Sequence, residues 1–319
     1  MGDPRICVVG TGRWGQNHVR TLYGLRSLGG IVEPRASVRG ALTAQYGVVG
    51  FATLEESLAQ DFDGYVVAVP AKCHYEMARQ LILAGKPLLV EKPMTLEAKE
   101  SEELVELARA RRVPLMVGHL LLFHPAIRVL RAQIERGAIG RLYYLYSNRL
   151  NLGRVRSEEN AFWSLAPHDI SLFEYFVGAQ PMSVRAAGSA FLQPGIPDKV
   201  LAVLEYPGGV SGHIFASWLH PFKEHRLVLV GAEGMLVYED SSAEKQVLLY
   251  RSGCKVHAGE PELFQAEPEV LAYEPAQPLT EELRYFMAHL GGGVEVASGE
   301  SGLRTVRVLQ EVQRQLEEA

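Results

Sequence analysis

The sequence predicts an N-terminal α/β domain built on a doubly wound parallel sheet, followed by a C-terminal α+β domain with a mostly antiparallel open sheet. Three observations carry this expectation. Short apolar runs alternate with helical patterns up to Gly118. Strand-like runs with no helices between them fill residues 184–239. A length of 319 residues is about twice that of an ordinary single domain, which places the expected domains at 1–120 and 121–319.

The first strand is Ile6-Cys7-Val8-Val9, a continuous apolar run of the kind a sheet covered on both faces requires. A helix is expected from Gly15 to Leu28, a short strand at Gly30-Ile31-Val32 and a helix over 54–60. Gly64 to Val69 is the next apolar strand, stopped by Pro70. A helix from His74 to Ala84 follows, and Gly85 suits its left-handed C-cap. Strand 87–90, helix 96–111 and strand 113–117 complete the alternation. Right-handed crossovers between such strands make a doubly wound sheet.

Beyond Gly118 the rhythm changes. Pro125 to Arg136 places Ile127, Leu130 and Ile134 at helical spacing, Leu142 to Asn148 alternates like a half-exposed strand, and His168 to Phe176 reads as a helix. Strands are expected at 184–188, 199–206, 210–218, 226–230 and 235–239, joined by turns such as Pro207-Gly208-Gly209. Residues 252–278, rich in Glu, Pro and Gly, read as a surface excursion. Helices opening at Thr280 and running from about Ser301 to Glu318 close the chain.

The composition, 47% hydrophobic and 22% charged, is that of a globular protein with a sizeable core. A formal net charge of −5 argues against nucleic acid or an anionic membrane as a partner. Cys7, Cys73 and Cys254 are scattered and offer neither a disulfide framework nor a metal spacing. His119 and His124 lie five apart, as do His220 and His225, so no metal site is expected. The start of the chain lacks the apolar segment of a secretory signal, and no apolar run reaches the roughly 20 residues that cross a bilayer. A soluble, cytoplasmic protein is expected.

Gly10-Thr11-Gly12-Arg13-Trp14-Gly15 lies directly between a strand and a helix. In that place G-x-G-x-x-G is a dinucleotide fingerprint of the Rossmann type. Gly10 allows the tight turn, Gly12 lets backbone approach a pyrophosphate, and Gly15 lets helix and strand pack closely. The helix N-terminus adds free N–H groups and a positive dipole end. Glu33, at the end of the second strand, would accept hydrogen bonds from the adenosine ribose and repel a 2′-phosphate, which favours NAD. Arg35, two residues on, could instead bind a phosphate. Glu91-Lys92-Pro93 sets an acid and a base at the C-terminal end of a buried strand, the edge where open α/β sheets bind ligands; an exposed turn is the plain alternative.

Together with Val69-Pro70 and His74, these segments resemble the glucose–fructose oxidoreductase / inositol dehydrogenase / rhizopine catabolism (Gfo/Idh/MocA) family. The resemblance continues through Val117-Gly118-His119, Phe123, Pro125, Gly137-x-Ile139-Gly140, His168, Ser217-Trp218, Gly231-x-x-Gly234 and the closing helices. It implies an NAD(P)-dependent oxidoreductase with Lys92 beside the nicotinamide and His168 as the acid/base. It also implies a dimer or tetramer, for which a face of the C-terminal sheet is available. Pro70, His74, Glu91 and His119 join Gly10, Gly12, Arg13, Trp14, Gly15 and Glu33 as expected cofactor contacts. His119 is equally well read as core packing.

One departure stands out. The family has an Asp four residues before the histidine, where this chain has Ser164. Asp169 follows His168 directly, and neighbours on a helix need not face the same way.

Residues 147–160 gather Arg149, Arg154 and Arg156 with Asn148, Asn151 and Asn160, just ahead of Trp163 and His168. Arginines bind phosphate bidentately, Asn reads sugar hydroxyls and Trp stacks on apolar faces, while the plain alternative is a solvated polar loop. The segment resembles the family branch that oxidises UDP-sugars, the UDP-N-acetylglucosamine 3-dehydrogenases, with the corresponding uronate as the alternative substrate. Asn148, Arg149, Asn151, Arg156 and Trp163 are the expected substrate contacts with Lys92 and His168. A non-catalytic NAD- or sugar-sensing regulator is the rival from another class, and an enzyme that recycles its NADH in place is a third.

Overall fold

A computed structural model describes residues 3–153 and 155–318. The chain forms two compact units. The first contains β1 (Ile6–Val9), α1 (Gly15–Gly24), β2 (Leu28–Val32), α2 (Ala36–Tyr46), β3 (Val49–Phe51), α3 (Leu54–Leu58), β4 (Gly64–Val67), α4 (His74–Leu83), β5 (Leu88–Val90), α5 (Ala98–Arg111) and β6 (Leu115–Val117). Its strands are all parallel, in the order β3-β2-β1-β4-β5-β6. The strand order reverses between β1 and β4, so the switch-point crevice opens where the glycine loop leaves β1. Ile6, Cys7, Val8, Tyr65, Val66, Val67 and residues 88–90 are fully buried, as a doubly covered sheet demands. Helix α2 and strand β3 were not expected. In α2 only Leu42 is buried, so the helix carries no apolar stripe to read.

The second unit contains α6 (Pro125–Glu135), β7 (Leu142–Leu150), α7 (Ala161–Leu165), α8 (Pro167–Val177), β8 (Ser183–Ser189), β9 (Lys199–Glu205), β10 (Ser211–Ser217), β11 (Glu224–Gly231), β12 (Gly234–Glu239), β13 (Val247–Tyr250), β14 (Gly253–His257), β15 (Glu260–Phe264) and β16 (Glu269–Leu271). Eight strands form one sheet in the order β16-β13-β12-β11-β7-β10-β9-β8. All its pairs are antiparallel except β7 with β10. One face buries Leu145, Ala202, Leu204, Ile214, Ala216 and Leu236 with α6, α7 and α8. The opposite face carries partly exposed Tyr144, Tyr146, Leu201, His213 and Val237, with the Tyr146 and His213 rings stacked at 5.0 Å. The expected excursion over 252–278 resolves into an exposed hairpin, β14–β15, and the edge strand β16.

The division between units is not the single break expected near residue 120. Ala276–Arg307, which includes α9 (Pro278–Ala288) and the start of α10 (Gly299–Glu318), belongs to the first unit, and the chain from Val308 on belongs to the second. The physical reason is the edge of the parallel sheet. Val117 donates its N–H to Ala297 O at 2.8 Å, and Ser298 bridges Met116, so the returning chain covers β6. Leu283 and Phe286 of α9 are fully buried, with α9 packed on α1 and on residues 120–123. No described helix is long and apolar enough to cross a membrane.

Candidate active site

The glycine loop of the first unit is shaped by backbone contact. Gly10 has φ +89°, which side chains rarely adopt. A Cβ on Gly15 would sit 2.0 Å from Gly10 O, so the third glycine is required by the approach of α1 to the turn. A Cβ on Gly12 meets nothing within 4 Å, and no side chain caps α1, whose first turn holds no acid. Those are the requirements of a pyrophosphate cradle, and the residues fit the dinucleotide. Glu33 is buried and accepts from Thr11 Oγ1 at 2.6 Å and from Arg35 Nε and Nη2 at 2.7 and 2.9 Å. The Arg35 hydrogen bonds, with Thr11, outweigh burial and hold the Glu33 carboxyl at about 2. The two residues that sequence reading set against each other are therefore partners.

At the ends of β5 and β6 a second cluster forms. Glu91 Oε1 accepts from Trp14 Nε1 at 2.5 Å and lies 2.7 Å from His18 Nε2. Burial alone would raise this carboxyl; His18, Trp14 and the charge of Lys92 together hold it below the ordinary carboxylate range. Gly118 is needed here, since a Cβ would come within 2.9 Å of Glu91 Oε2. His119 is buried, and burial together with the nearby Lys92 charge lowers it to about 4, so its ring is neutral at neutral pH. His18 was not anticipated. It stands three residues after Gly15 on the buried stripe Gly15, His18, Val19, Leu22, a spacing that could have revealed it. Glu282 of α9 is also buried; burial and repulsion from Glu91 raise its carboxyl well above the ordinary value.

His74 is held by backbone. Its Nδ1 lies 2.8 Å from Pro93 O and its Nε2 3.0 Å from Val69 O, so both ring nitrogens meet backbone. It ties the loop after β4, which carries Pro70, to the loop after β5, where the Lys92–Pro93 peptide is cis.

In the second unit, His168 is the second residue of α8 and is partly exposed. Asp169 is fully buried and turns to β7, where it accepts from Arg149 Nε at 2.9 Å, Arg149 Nη2 at 2.6 Å and Ser147 Oγ. Asp169 therefore does not orient His168; it fixes α8 to the sheet. Arg149 is correspondingly buried in a bidentate pair rather than open to a phosphate. His225, opposite Arg149 on β11, is lowered to about 3 by burial and by the Arg149 charge. Trp163 is only 8% exposed in α7, which leaves little of its ring for stacking on a sugar. Asn148 donates to Glu224 Oε1 at 2.8 Å. Asn151 follows β7 and is partly exposed, and Arg156 pairs with Glu159 at 3.5 Å with its side chain 42% exposed. Arg154 lies outside the described residues. Among the described residues no group of three His, Cys, Asp or Glu side chains is placed to hold a metal.

Comparison with known proteins agrees with this architecture. The oxidoreductase family model for the NAD-binding Rossmann fold of Gfo/Idh/MocA proteins matches residues 4–119, and the GFO/IDH/MocA C-terminal domain model matches residues 127–237. The UDP-N-acetylglucosamine 3-dehydrogenase of Acidithiobacillus ferrooxidans is 30% identical over 187 residues, 58% of each chain. The rhizopine catabolism protein MocA of Rhizobium meliloti is 28% identical over 220 residues, 65% of this chain and 69% of its own. The solved structure of the Acidithiobacillus enzyme superposes with a TM-score of 0.87 at 24% identity, covering 100% of this chain and 99% of that one. With both domain models matched in their expected order and the same fold throughout, the chain belongs to the Gfo/Idh/MocA oxidoreductase family.

Proposed function

We propose that this protein oxidises a secondary hydroxyl of a UDP-linked sugar with NAD, and that the group oxidised is the 3-hydroxyl of UDP-N-acetylglucosamine. The observation that carries the reading is the setting of Lys92. It follows β5 at the C-terminal edge of the parallel sheet, beside ionised Glu91 and neutral His119, on the edge that also carries the glycine loop. The similarity to the Acidithiobacillus 3-dehydrogenase supports the choice of sugar.

Bound NAD supplies the hydride acceptor. Lys92 donates a hydrogen bond to the reacting oxygen and stabilises negative charge as its proton leaves. Neutral His119 adds no competing cation beside Lys92. His168 takes the hydroxyl proton, a role suited to imidazole near neutral pH. Arg156 and Asn151, which keep exposed surface, bind the diphosphate and sugar. Arg149 and Trp163 act from the interior as support. The half-exposed face of the eight-stranded sheet mediates self-association as a dimer or tetramer. The three free cysteines suit a cytoplasmic setting.

The test mixes protein, NAD and UDP-N-acetylglucosamine with a 3-aminotransferase that draws off the 3-keto product, and follows reduced-nicotinamide absorbance. A signal is expected. A signal only with UDP-N-acetylglucosaminuronate would change the substrate and keep the chemistry, and silence with both would sink the UDP-sugar reading.

A further inference from the structure

We infer that the turn between β8 and β9 presents Phe191 and Leu192 as the platform for the uracil ring of the nucleotide-linked substrate. This rests on the UDP-sugar reading above and assigns the end of the ligand farthest from the reacting hydroxyl.

The sheet registers put that turn in line with the 151–160 segment. Leu150 at the end of β7 faces Ser217 at the end of β10, Ser217 faces Lys199 at the start of β9, and Lys199 faces Ser189 at the end of β8. The chain after β7 and the chain after β8 therefore leave the sheet at the same end. Two hydrogen bonds tie them together. Gln193 Nε2 donates to Arg156 O at 2.8 Å, and the Ala161 N–H donates to Pro197 O at 3.0 Å. Phe191 stands two residues before Gln193, no more than about 7 Å of chain at full extension. That puts it within reach of the base of a nucleotide whose phosphates Arg156 binds.

The turn is built to hold its tip outward. Asp198 is fully buried, and its Oδ2 accepts the backbone N–H of Phe191 at 2.6 Å and that of Leu192 at 2.8 Å. Its Oδ1 accepts from Trp218 Nε1 at 2.6 Å, and its own N–H donates to Ser189 O at 2.8 Å. One buried carboxylate thus fixes two successive residues whose side chains stay 65% and 56% exposed. A single exposed apolar residue means little. Two of them, clamped from below beside the segment that carries Arg156, form a surface that a ligand uses without first ordering a loop. Arg156 Nε makes no hydrogen bond, and Glu159 stands 3.5 Å from it. Phe191 offers a ring face to a planar base, and Arg156 offers a guanidinium to a diphosphate. Base and diphosphate are the two features that separate a nucleotide-linked sugar from a free one.

The experiment is a calorimetric titration of UDP, with no sugar attached, into the NADH-loaded protein. Phe191→Ala should weaken UDP by roughly tenfold, the scale of base–aromatic stacking, with melting temperature and NADH affinity unchanged. Phe191→Tyr should restore most of the loss. N-acetylglucosamine 1-phosphate, which has no base, should bind the unaltered protein and Phe191→Ala alike. UDP affinity unmoved by Phe191→Ala, while Arg156→Ala still weakens it, would overturn this inference and leave the UDP-sugar reading standing. A Phe191→Ala protein that changes its sedimentation and keeps its UDP affinity would mark the tip as a contact between copies, and so overturn the inference as well. An unaltered protein that binds no UDP would remove both.

Discussion

Replacement of Asp169 tests how the second unit holds its histidine-bearing helix. The carboxylate is fully buried and takes Ser147 and two nitrogens of Arg149, whose own side chain is only 10% exposed. Asp169→Ala strands the Arg149 guanidinium in the interior, with neutral His225 opposite and no other ion pair to it among the described residues. Breaking a buried pair from one side costs about 3–5 kcal/mol, because the remaining charge is desolvated and unpaired. For a unit of this size that corresponds to a fall in melting temperature of roughly 10 °C. Removing both partners, as Arg149→Met with Asp169→Leu, should recover much of the loss, since an apolar pair of similar volume carries no desolvation penalty. Thermal unfolding followed by circular dichroism reads both variants. An Asp169→Ala protein that melts within a degree or two of the unaltered one would refute the reasoning, as would a double variant less stable than the single. By contrast Arg314→Ala, which breaks exposed pairs with Glu311 and Glu318, should leave the melting temperature nearly unchanged.

Lys92→Met should leave the NADH dissociation constant unchanged and lower turnover by about two orders of magnitude or more; near-normal turnover would remove Lys92 from the chemistry. Gly12→Ala and Gly15→Ala separate cradle from fold. Gly12→Ala meets no protein atom and should melt normally while binding NADH poorly, whereas Gly15→Ala collides with the Gly10 carbonyl and should lose stability and binding together. The buried histidines predict acid sensitivity. His119 and His225 have folded values of about 4 and about 3 against an ordinary 6.5, so the unfolded chain takes up protons first as pH falls. Their contribution to stability is complete above 6.5 and is lost on acidification from 6.5 toward 3. The gap between denaturant midpoints at pH 7 and pH 4.5 should therefore be smaller in a His119→Asn variant, with the His225 share remaining.

Both domains and much of their element order were legible in the chain because they rest on local signals. The continuous apolar run Ile6–Val9, followed at once by the G-x-G-x-x-G turn, reads as a covered strand and pairs as one with β4. Helix α2 escaped notice because a helix lying on the surface with one buried residue leaves no period to find. The return of α9 to the first unit escaped for another reason: an amphipathic helix announces that it will be covered, not by what.

The sequence by itself determined which chemical groups exist and where they lie: Lys92, Glu91, the glycine loop and Glu33 at strand ends, and His168 on a helix. Tertiary structure decided their partners. Arg149 and Trp163 looked like ligand contacts because composition marks residue type and not burial, and the fold turned both inward. His74 was drawn to two carbonyls of neighbouring loops, and Arg35 closed on Glu33. Charge, hydrogen-bond saturation and pKa all depend on what stands a few ångströms away. In a chain of 319 residues those neighbours are set by packing across long separations, as between Trp14 and Glu91 or Val117 and Ala297.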